Sequence, residues 1–345
     1  MKFEAVTIKD IAKALNLSTS TVSRALRGSY EISEETKKAV LQYAESVNYR
    51  PNPIALSLKE RRSRSIGIVV CEIANTFFSQ VINGIESIAY NRGYHVVISQ
   101  SHESYEREVI DLQYLSSRSI DGLLVSVSSE TTDTKHFQQL HEKGLPIVFF
   151  DRVADDLNTH KVILNNFQGA YDATKHLLSQ GYTKIAHVTH SAHLTLARER
   201  LAGYRKALDE HGIPFDEAYV KHCHHGLTLS AEIEERIREL LSLKQKPDAI
   251  FTVSDRLTNS TLLALKKAGL KVPDDMGLVG FSNTDIGDLI DPPLTAVRQP
   301  AFEMGQAATD LLIQLIEAKR QVTSFETRVL EGELIIRDSS RRKQQ

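Results

Sequence analysis

From residue 65 onward the sequence alternates short β-branched runs with longer stretches of helical periodicity, and this alternation restricts the fold more than any other feature. Repeated strand–helix units imply parallel sheets covered by helices, because each parallel pair needs a long crossover connection. Strands are expected at 66–70, 94–98, 122–125, 147–150, 184–188, 249–253 and 278–281. Two such blocks meet near residue 163, so we predict an α/β body with two doubly wound sheets.

Ligand contacts in open parallel sheets come from residues just beyond the carboxyl ends of the strands. The side chains at these positions are Asn75, Phe77, Phe78, Ser126, Ser128, Asp151, Arg152, Asn165, Asn166, His190, Ser254, Asp255, Ser282 and Asn283. Aromatic faces beside aspartate, arginine and asparagine suit a polyhydroxyl ligand, which they bind by stacking and by bidentate hydrogen bonds. Each polar residue has an alternative role as a helix cap or a loop contact, as Asp255 illustrates just before an expected helix.

The chain has room for two or three domains, since it contains 345 residues. No apolar run approaches the roughly 20 residues that span a bilayer, and the charged N-terminus does not resemble a signal peptide. Two cysteines, Cys71 and Cys223, cannot form a disulfide framework. We therefore expect a cytoplasmic protein that has no membrane partner.

The charge is divided unevenly along the chain. Residues 1–65 hold 12 lysines and arginines against 7 acidic residues, a balance of +5, although the whole chain carries −2. A basic head on an acidic body indicates that the head alone meets a polyanion. A chance imbalance on a solvated surface is the alternative.

Three short helices are expected in this basic head. The first follows a Thr7 cap, the second spans about 19–27 after Ser18, and the third begins after Ser33. Two short helices separated by a tight turn form a helix-turn-helix, whose second helix enters the major groove of DNA. An ordinary helical bundle with a polar surface helix would show the same spacing.

A fourth, very short helix is signalled from Pro53 to about Lys59, with Asn52 as its cap. Two turns are too few for a stable isolated helix, so this segment needs another surface. Its apolar residues precede a run of arginines, a combination that suits a wedge in the minor groove. The alternative is a linker whose leucines pack on the body.

Residues 6–68 resemble the DNA-binding headpiece of the lactose/galactose-repressor (LacI/GalR) family of bacterial regulators. The resemblance is carried by the runs TIKDIA at 7–12, STSTVSRAL at 18–26 and NYRPN at 48–52, and it extends over essentially the whole chain. It implies that Thr19, Ser20 and Arg24 read bases, while Leu58 wedges into the minor groove. The complete set of expected DNA contacts is Thr7, Ser18, Thr19, Ser20, Thr21, Ser23, Arg24, Asn52, Ala55 and Leu58.

The resemblance also implies a division of the chain. The expected parts are a helix-turn-helix headpiece at 1–52, a hinge at 53–64 and an effector-binding and dimerisation domain at 65–345. The last part resembles periplasmic sugar-binding proteins, with two subdomains joined by three crossovers. The N-subdomain is expected at about 65–163 plus 294–323, and the C-subdomain at about 164–293 plus 324–345.

An effector site is expected between the two subdomains. Its expected residues are Phe77, Phe78, Ser126, Asp151, Arg152, Arg200, Asp255 and Ser282. Arg200 lies in the run RLAGYRKAL at 200–208, which is similar to a family motif whose arginine reaches the effector. Many relatives have aspartate where this chain has Ser282, so the resemblance carries over no acidic ligand contact at that position.

These features together predict a homodimeric repressor that binds double-stranded operator DNA under the control of a sugar-like small molecule. The run His222-Cys223-His224-His225 lacks the spacing of a zinc site, and no phosphate loop or nucleophile elbow is present. We therefore expect no metal, no cofactor and no enzymatic activity. Two alternatives stay open: a sugar-binding protein without a DNA role, and a DNA-binding regulator controlled by a protein partner.

Overall fold

The computed structural model describes residues 6–49, 62–223 and 229–342. The chain divides into two compact units, one ending at Ser63 and the other beginning at Arg64. We call them the head and the body, and each is described by itself.

The head is built from three helices, α1 (Ile8–Ala14), α2 (Thr19–Ala25) and α3 (Glu34–Ser46). They surround a small apolar core formed by Ile11, Ala12, Val22, Ala25, Val40 and Ala44. Leu26, the C-cap of α2, is half-buried and packs against this core.

Each head helix begins at a hydroxyl cap, as the sequence predicted. The Thr7 backbone N–H donates to Asp10 Oδ2 over 2.8 Å, and the hydrogen bonds from Thr7 lower the pKa of Asp10. Ser18 Oγ accepts from the Thr21 N–H over 3.1 Å. Such bonds satisfy amide groups that have no partner within the helix.

The first sheet of the body is entirely parallel and has the order β11-β5-β4-β3-β1-β2. Its strands are β1 (Ser65–Val70), β2 (His95–Gln100), β3 (Gly122–Val125), β4 (Ile147–Phe150), β5 (Lys161–Leu164) and β11 (Thr327–Leu330). Its helices are α4 (Thr76–Asn91), α5 (Tyr105–Ser117), α6 (Lys135–Glu142) and α11 (Ala301–Glu317). The three strands β1, β3 and β4 are almost wholly buried, as expected for strands covered on both faces.

The second sheet has the order β12-β10-β9-β8-β6-β7, and only its β10–β12 pair is antiparallel. Its strands are β6 (Ile185–Thr189), β7 (Val220–His222), β8 (Ala249–Thr252), β9 (Gly277–Phe281), β10 (Thr295–Arg298) and β12 (Glu333–Ile335). Its helices are α7 (Asn166–Ser179), α8 (Thr195–Glu210), α9 (Leu229–Ser242) and α10 (Asp255–Lys267). Both sheets are thus doubly wound, as predicted.

Two of the expected segments follow their assignment except for one strand each. In the segment 294–323, helix α11 packs on the first sheet as expected, but strand β10 pairs with β9 in the second sheet. In the segment 324–345, strand β12 pairs with β10 in the second sheet as expected, but strand β11 pairs with β5 in the first. The chain therefore passes between the sheets after β5, after β10 and after β11. Long-range pairing decides these positions, and local patterns do not report it.

Among the helices in the described part of the chain, none combines the length and the apolar character needed to cross a membrane.

One buried group in the second sheet is expected to make stability depend on pH. His187 lies in β6, with its ring 5.0 Å from that of Tyr204 and 4.9 Å from that of Phe251. Burial, reinforced by nearby His222, lowers the pKa of His187 to about 3 from its usual 6.5. The unfolded chain therefore takes up this proton at higher pH than the folded protein does.

We expect the contribution of His187 to be fully favourable above pH 6.5 and to be lost as the pH falls toward 3. The loss approaches roughly 1.4 kcal/mol per pH unit, or about 2 kcal/mol at pH 5. His187→Phe, which keeps the aromatic stack, should reduce this dependence in urea unfolding at pH 7.5 and pH 5. His95→Gln, at an exposed position, is the control. Equal pH dependence in wild type and His187→Phe would contradict the assignment.

Candidate functional site

The polar face of α2 is available to a ligand. Ser18, Thr19, Ser20 and Arg24 are exposed, while Thr21 and Ser23 are half-buried. Helix α2 follows α1 after a four-residue turn in which Asn16 takes a left-handed conformation with φ of 52°. This arrangement presents hydroxyl and guanidinium groups outward from a buried apolar side, as a helix that enters a major groove requires.

Arg24 is held by an exposed ion pair with Glu31. Its Nη1 lies 3.0 Å from Glu31 Oε2, and the two side chains are 50% and 48% exposed. Exposed pairs of this kind contribute at most about 1 kcal/mol. Arg27, two residues beyond the end of α2, instead donates to Ser23 O and Oγ, both over 3.0 Å, so its side chain lies back along α2.

The body carries a second site, centred on Arg200 of α8. Arg200 is buried, and its Nε donates to Asn166 Oδ1 over 2.9 Å and its Nη2 to Gln299 Oε1 over 3.1 Å. Its Nη1 donates to the Val253 carbonyl, and its guanidinium lies 3.8 Å from the centroid of the Phe281 ring. Burial lowers the pKa of Arg200 to about 10, so the side chain remains charged at neutral pH.

Asp255 places a carboxylate beside Ser282. Both the Ser282 hydroxyl and the Asn283 N–H donate to Asp255 Oδ1. Burial raises the pKa of Asp255, while these two bonds and the charge of Arg200 oppose the rise. Asp255 therefore supplies an acidic group beside Ser282 from another element. Asp255 is not the cap of α10, because Ser254 is.

A second cluster lies at the end of β4. Asp151 accepts from Ser126 Oγ over 3.4 Å, and burial raises its pKa against the opposing charges of Arg152 and Arg200. Arg152 Nη1 donates to Glu103 Oε2 over 2.6 Å. Burial favours a lower pKa for Arg152, but the charge of Glu103, its hydrogen bond to Arg152 and the other negative groups nearby together raise the pKa. The clusters around Arg152 and Arg200 thus share one electrostatic neighbourhood.

A cleft separates the part of the body built on the first sheet from the part built on the second, and side chains from the two parts make contact across it. Asn283 Nδ2 donates to Gln80 Oε1 of α4 over 2.8 Å, and Arg256 Nη1 lies 2.8 Å from Glu72 Oε2. His193 Nε2 lies 2.6 Å from the carbonyl oxygen of Ser129. These contacts would have to change if the cleft opened or closed.

A cavity of about 320 Å³ lies in this cleft. Its polar lining residues are Thr131, Thr132, Thr134, Asp151, Arg152, Asp155, Lys161, Asn166, His193, Thr195, Glu199 and Thr327. Among the predicted effector residues, Asp151 and Arg152 line it directly. Ser126 and Arg200 are linked to it through Asp151 and Asn166.

The structure separates the other strand-end candidates by role. Phe77 and Phe78 are buried in the apolar core, with ring centroids 5.2 Å apart, and are absent from the cavity lining. Asn75 and Asn165 cap helices. Gln299 was missed, although it directly follows β10 and the strand-end rule would have found it. Glu103 was also missed, since it lies three residues beyond β2 in a loop.

Asn52, Ala55 and Leu58, the expected hinge contacts, lie outside the described residues, so their roles remain predictions.

Two family models match the chain, one over each part. The model for bacterial regulatory proteins of the lacI family matches residues 7–52, and a periplasmic binding protein-like domain matches residues 174–340. The repressor CytR of Escherichia coli (strain K12) is 34% identical over 337 residues, covering 98% of this chain and 97% of CytR. The repressor PurR of Vibrio parahaemolyticus is 31% identical over 335 residues, covering 96% of this chain and 98% of PurR. The chain belongs to the lacI family of bacterial regulatory proteins.

Solved structures of the family share the fold. The Lac repressor dimer bound to operator and the anti-inducer ONPF superposes with a TM-score of 0.81 at 25% identity, covering 98% of this chain and 99% of that one. The complex of the regulator CelR with cellobiose gives a TM-score of 0.73 at 28% identity, covering 97% of this chain and 99% of CelR. As a member of the lacI family, the protein is a DNA-binding transcriptional repressor. The alternative of a sugar-binding protein without a DNA role is set aside.

Proposed function

We propose that this repressor binds a near-palindromic operator as a homodimer, and that a sugar or sugar derivative in the cleft controls the binding. The observation that carries the proposal is the polar cavity between the sheets, with Asp151 and Arg152 in its wall and buried Arg200 beside it. Pockets with a few convergent polar groups are typical of small-molecule sites. CelR, a structural relative, was solved with cellobiose.

Exposed apolar side chains support the homodimer. Val97 and Ile98 lie on β2, an edge strand, and Ile110 and Tyr114 lie on the adjacent helix α5; all four are exposed. Leu289, beyond the second sheet, is 83% exposed. Exposed apolar patches mark contact surfaces, and a two-fold dimer matches the symmetry of a palindromic site.

Effector control is expected to act through the contacts across the cleft. A ligand that favours one separation of the two sheets shifts the populations in which Asn283 meets Gln80 and Arg256 meets Glu72. Coupling of about 1–3 kcal/mol would change operator affinity about 5- to 150-fold. A thermal-shift screen with sugars, sugar phosphates and purines tests the small-molecule role, whereas a protein partner would leave every one of these compounds inactive.

Arg24→Ala is expected to weaken binding to operator by about 1–3 kcal/mol and to relax the preference at one base pair. Arginine binds guanine bidentately, and alanine cannot replace those bonds. The measurement is fluorescence anisotropy on a sequence selected from random DNA and on its single-base variants.

Arg27→Ala is the matched control, because it removes the same charge from a side chain that lies along α2. Both variants should weaken binding to random DNA equally, and only Arg24→Ala should change the base preference. Equal losses on selected and random DNA in Arg24→Ala would contradict a base-reading role.

A further inference from the structure

The wall of the cavity contains more acidic than basic side chains. The acidic lining residues are Asp151, Asp155 and Glu199, and the lysine and arginine of the lining are Lys161 and Arg152. A ligand with its own negative charge would meet this acidic surplus in a partly dehydrated site, where like charges repel strongly. Acceptance of an anion therefore depends on how much of the charge of Arg152 and Lys161 remains available to the ligand.

Arg152 is buried, with 8% of its surface exposed. Its Nη1 donates to Glu103 Oε2 over 2.6 Å and lies 3.4 Å from Cys71 Sγ. Its Nε is buried without an acceptor among the described residues. A buried donor without an acceptor is destabilising, so an acceptor atom on a ligand would relieve this cost.

Glu103 is the buried acidic partner of Arg152 in an ion pair. It is 6% exposed and adopts a left-handed backbone conformation with φ of 66°, which is unfavourable for a residue with a side chain. Its Oε2 also accepts from the Ser129 N–H over 2.9 Å, so the carboxylate is held between a loop and the guanidinium. Buried charges of this kind need such pairing.

We propose that Glu103 sets the charge class of the effector. By neutralising Arg152, it leaves a donor that suits an uncharged hydroxyl or carbonyl oxygen and excludes phosphorylated or carboxylated ligands at this end of the cavity. The inference rests on the proposed function, in which this cleft holds the effector. Glu103 is a positioning residue, because it acts through Arg152.

Glu108 provides a matched control. It is fully buried and accepts from the Ser128 N–H over 2.6 Å and from Thr131 Oγ1 over 2.7 Å, and it lies 2.8 Å from His136 Nε2. Glu108 therefore holds the same loop as Glu103 does, without bonding to Arg152. Glu103→Gln and Glu108→Gln should therefore perturb the loop at Ser128 and Ser129 in the same way, but only Glu103→Gln removes the negative charge that pairs with Arg152.

The test is titration of the full-length protein with inorganic phosphate, followed by thermal shift and by ³¹P NMR line width. Wild type and Glu108→Gln should show the same weak binding, and Glu103→Gln should bind phosphate at least tenfold more tightly. The gain should disappear in the double variant Glu103→Gln/Arg152→Met. A Glu103→Gln protein without this gain, or a gain that persists in the double variant, would overturn the proposal.

A second test compares phosphate binding by the wild-type protein and by Arg152→Met, and it does not require the Glu103 variant to fold. Wild type and Arg152→Met should bind phosphate equally weakly. If wild type binds phosphate more tightly than Arg152→Met does, Glu103 does not neutralise Arg152 and the proposal is refuted. This test is separate from that of the proposed function. If no small molecule alters DNA binding but Glu103→Gln gains phosphate affinity, effector control fails and the charge-setting role of Glu103 stands.

Discussion

Replacing Arg200 with alanine is expected to lower the free energy of unfolding by about 3–5 kcal/mol and to remove the response of DNA binding to the effector. The change leaves the Val253 carbonyl, Asn166 and Gln299 without their charged donor. It also removes a positive charge that opposes the raised pKa of both Asp151 and Asp255. Uncompensated buried polar groups and charges account for the size of the loss.

The expected result can be measured in two ways. Urea unfolding reports the stability of the body, and anisotropy reports DNA affinity with and without the sugar that stabilises wild type in the thermal-shift screen. DNA affinity without effector should be unchanged, because the head has its own core. Arg198→Ala, on the same helix with a side chain 52% exposed, is the control and should cost at most about 1 kcal/mol. Normal effector binding in Arg200→Ala would exclude Arg200 from the site.

Gly203→Ala is expected to destabilise the body by about 3 kcal/mol, although the same change in an exposed helix stabilises by up to about 1 kcal/mol. Gly203 lies where α8 packs against α7, and a methyl group there would overlap the carbonyl oxygen of Phe167. It would also lie 2.9 Å from the backbone nitrogen of Tyr171. Since both neighbours are backbone atoms, no side chain can move aside and the helices must separate.

Ala202→Gly is the matched control for Gly203→Ala. Ala202 is exposed and adjacent in the same helix, so its change should cost only the difference in helix propensity, about 1 kcal/mol. Urea unfolding followed by circular dichroism compares the two variants. Equal or greater stability of Gly203→Ala relative to wild type would show that α7 and α8 can separate without loss.

The head shows where local sequence is sufficient for prediction. The capping bonds of Thr7, Ser18 and Ser33 each reach a residue three positions along the chain. Such bonds depend on backbone geometry over one turn of helix, so they can be predicted from the local sequence alone. The polar face of α2 follows from the same short-range periodicity.

The partners of Arg200 show where local sequence is insufficient. Asn166, Val253 and Gln299 lie 34, 53 and 99 residues away in the chain. Gln299 was missed because β10, the strand that it follows, was not among the expected strands. Phe77 and Phe78 follow a strand as a ligand platform would, yet they pack in the core.

By itself, the sequence determined the family, the helix-turn-helix with its outward hydroxyl face and the alternation that requires two parallel sheets. Only the tertiary structure decided that β10 joins the second sheet and β11 the first, that Asp255 supplies an acid beside Ser282, and that Glu103 neutralises Arg152. The physical reason is the range of the interactions. Caps and periodic faces form within a few residues, whereas strand order and the grouping of charged side chains depend on packing between distant segments.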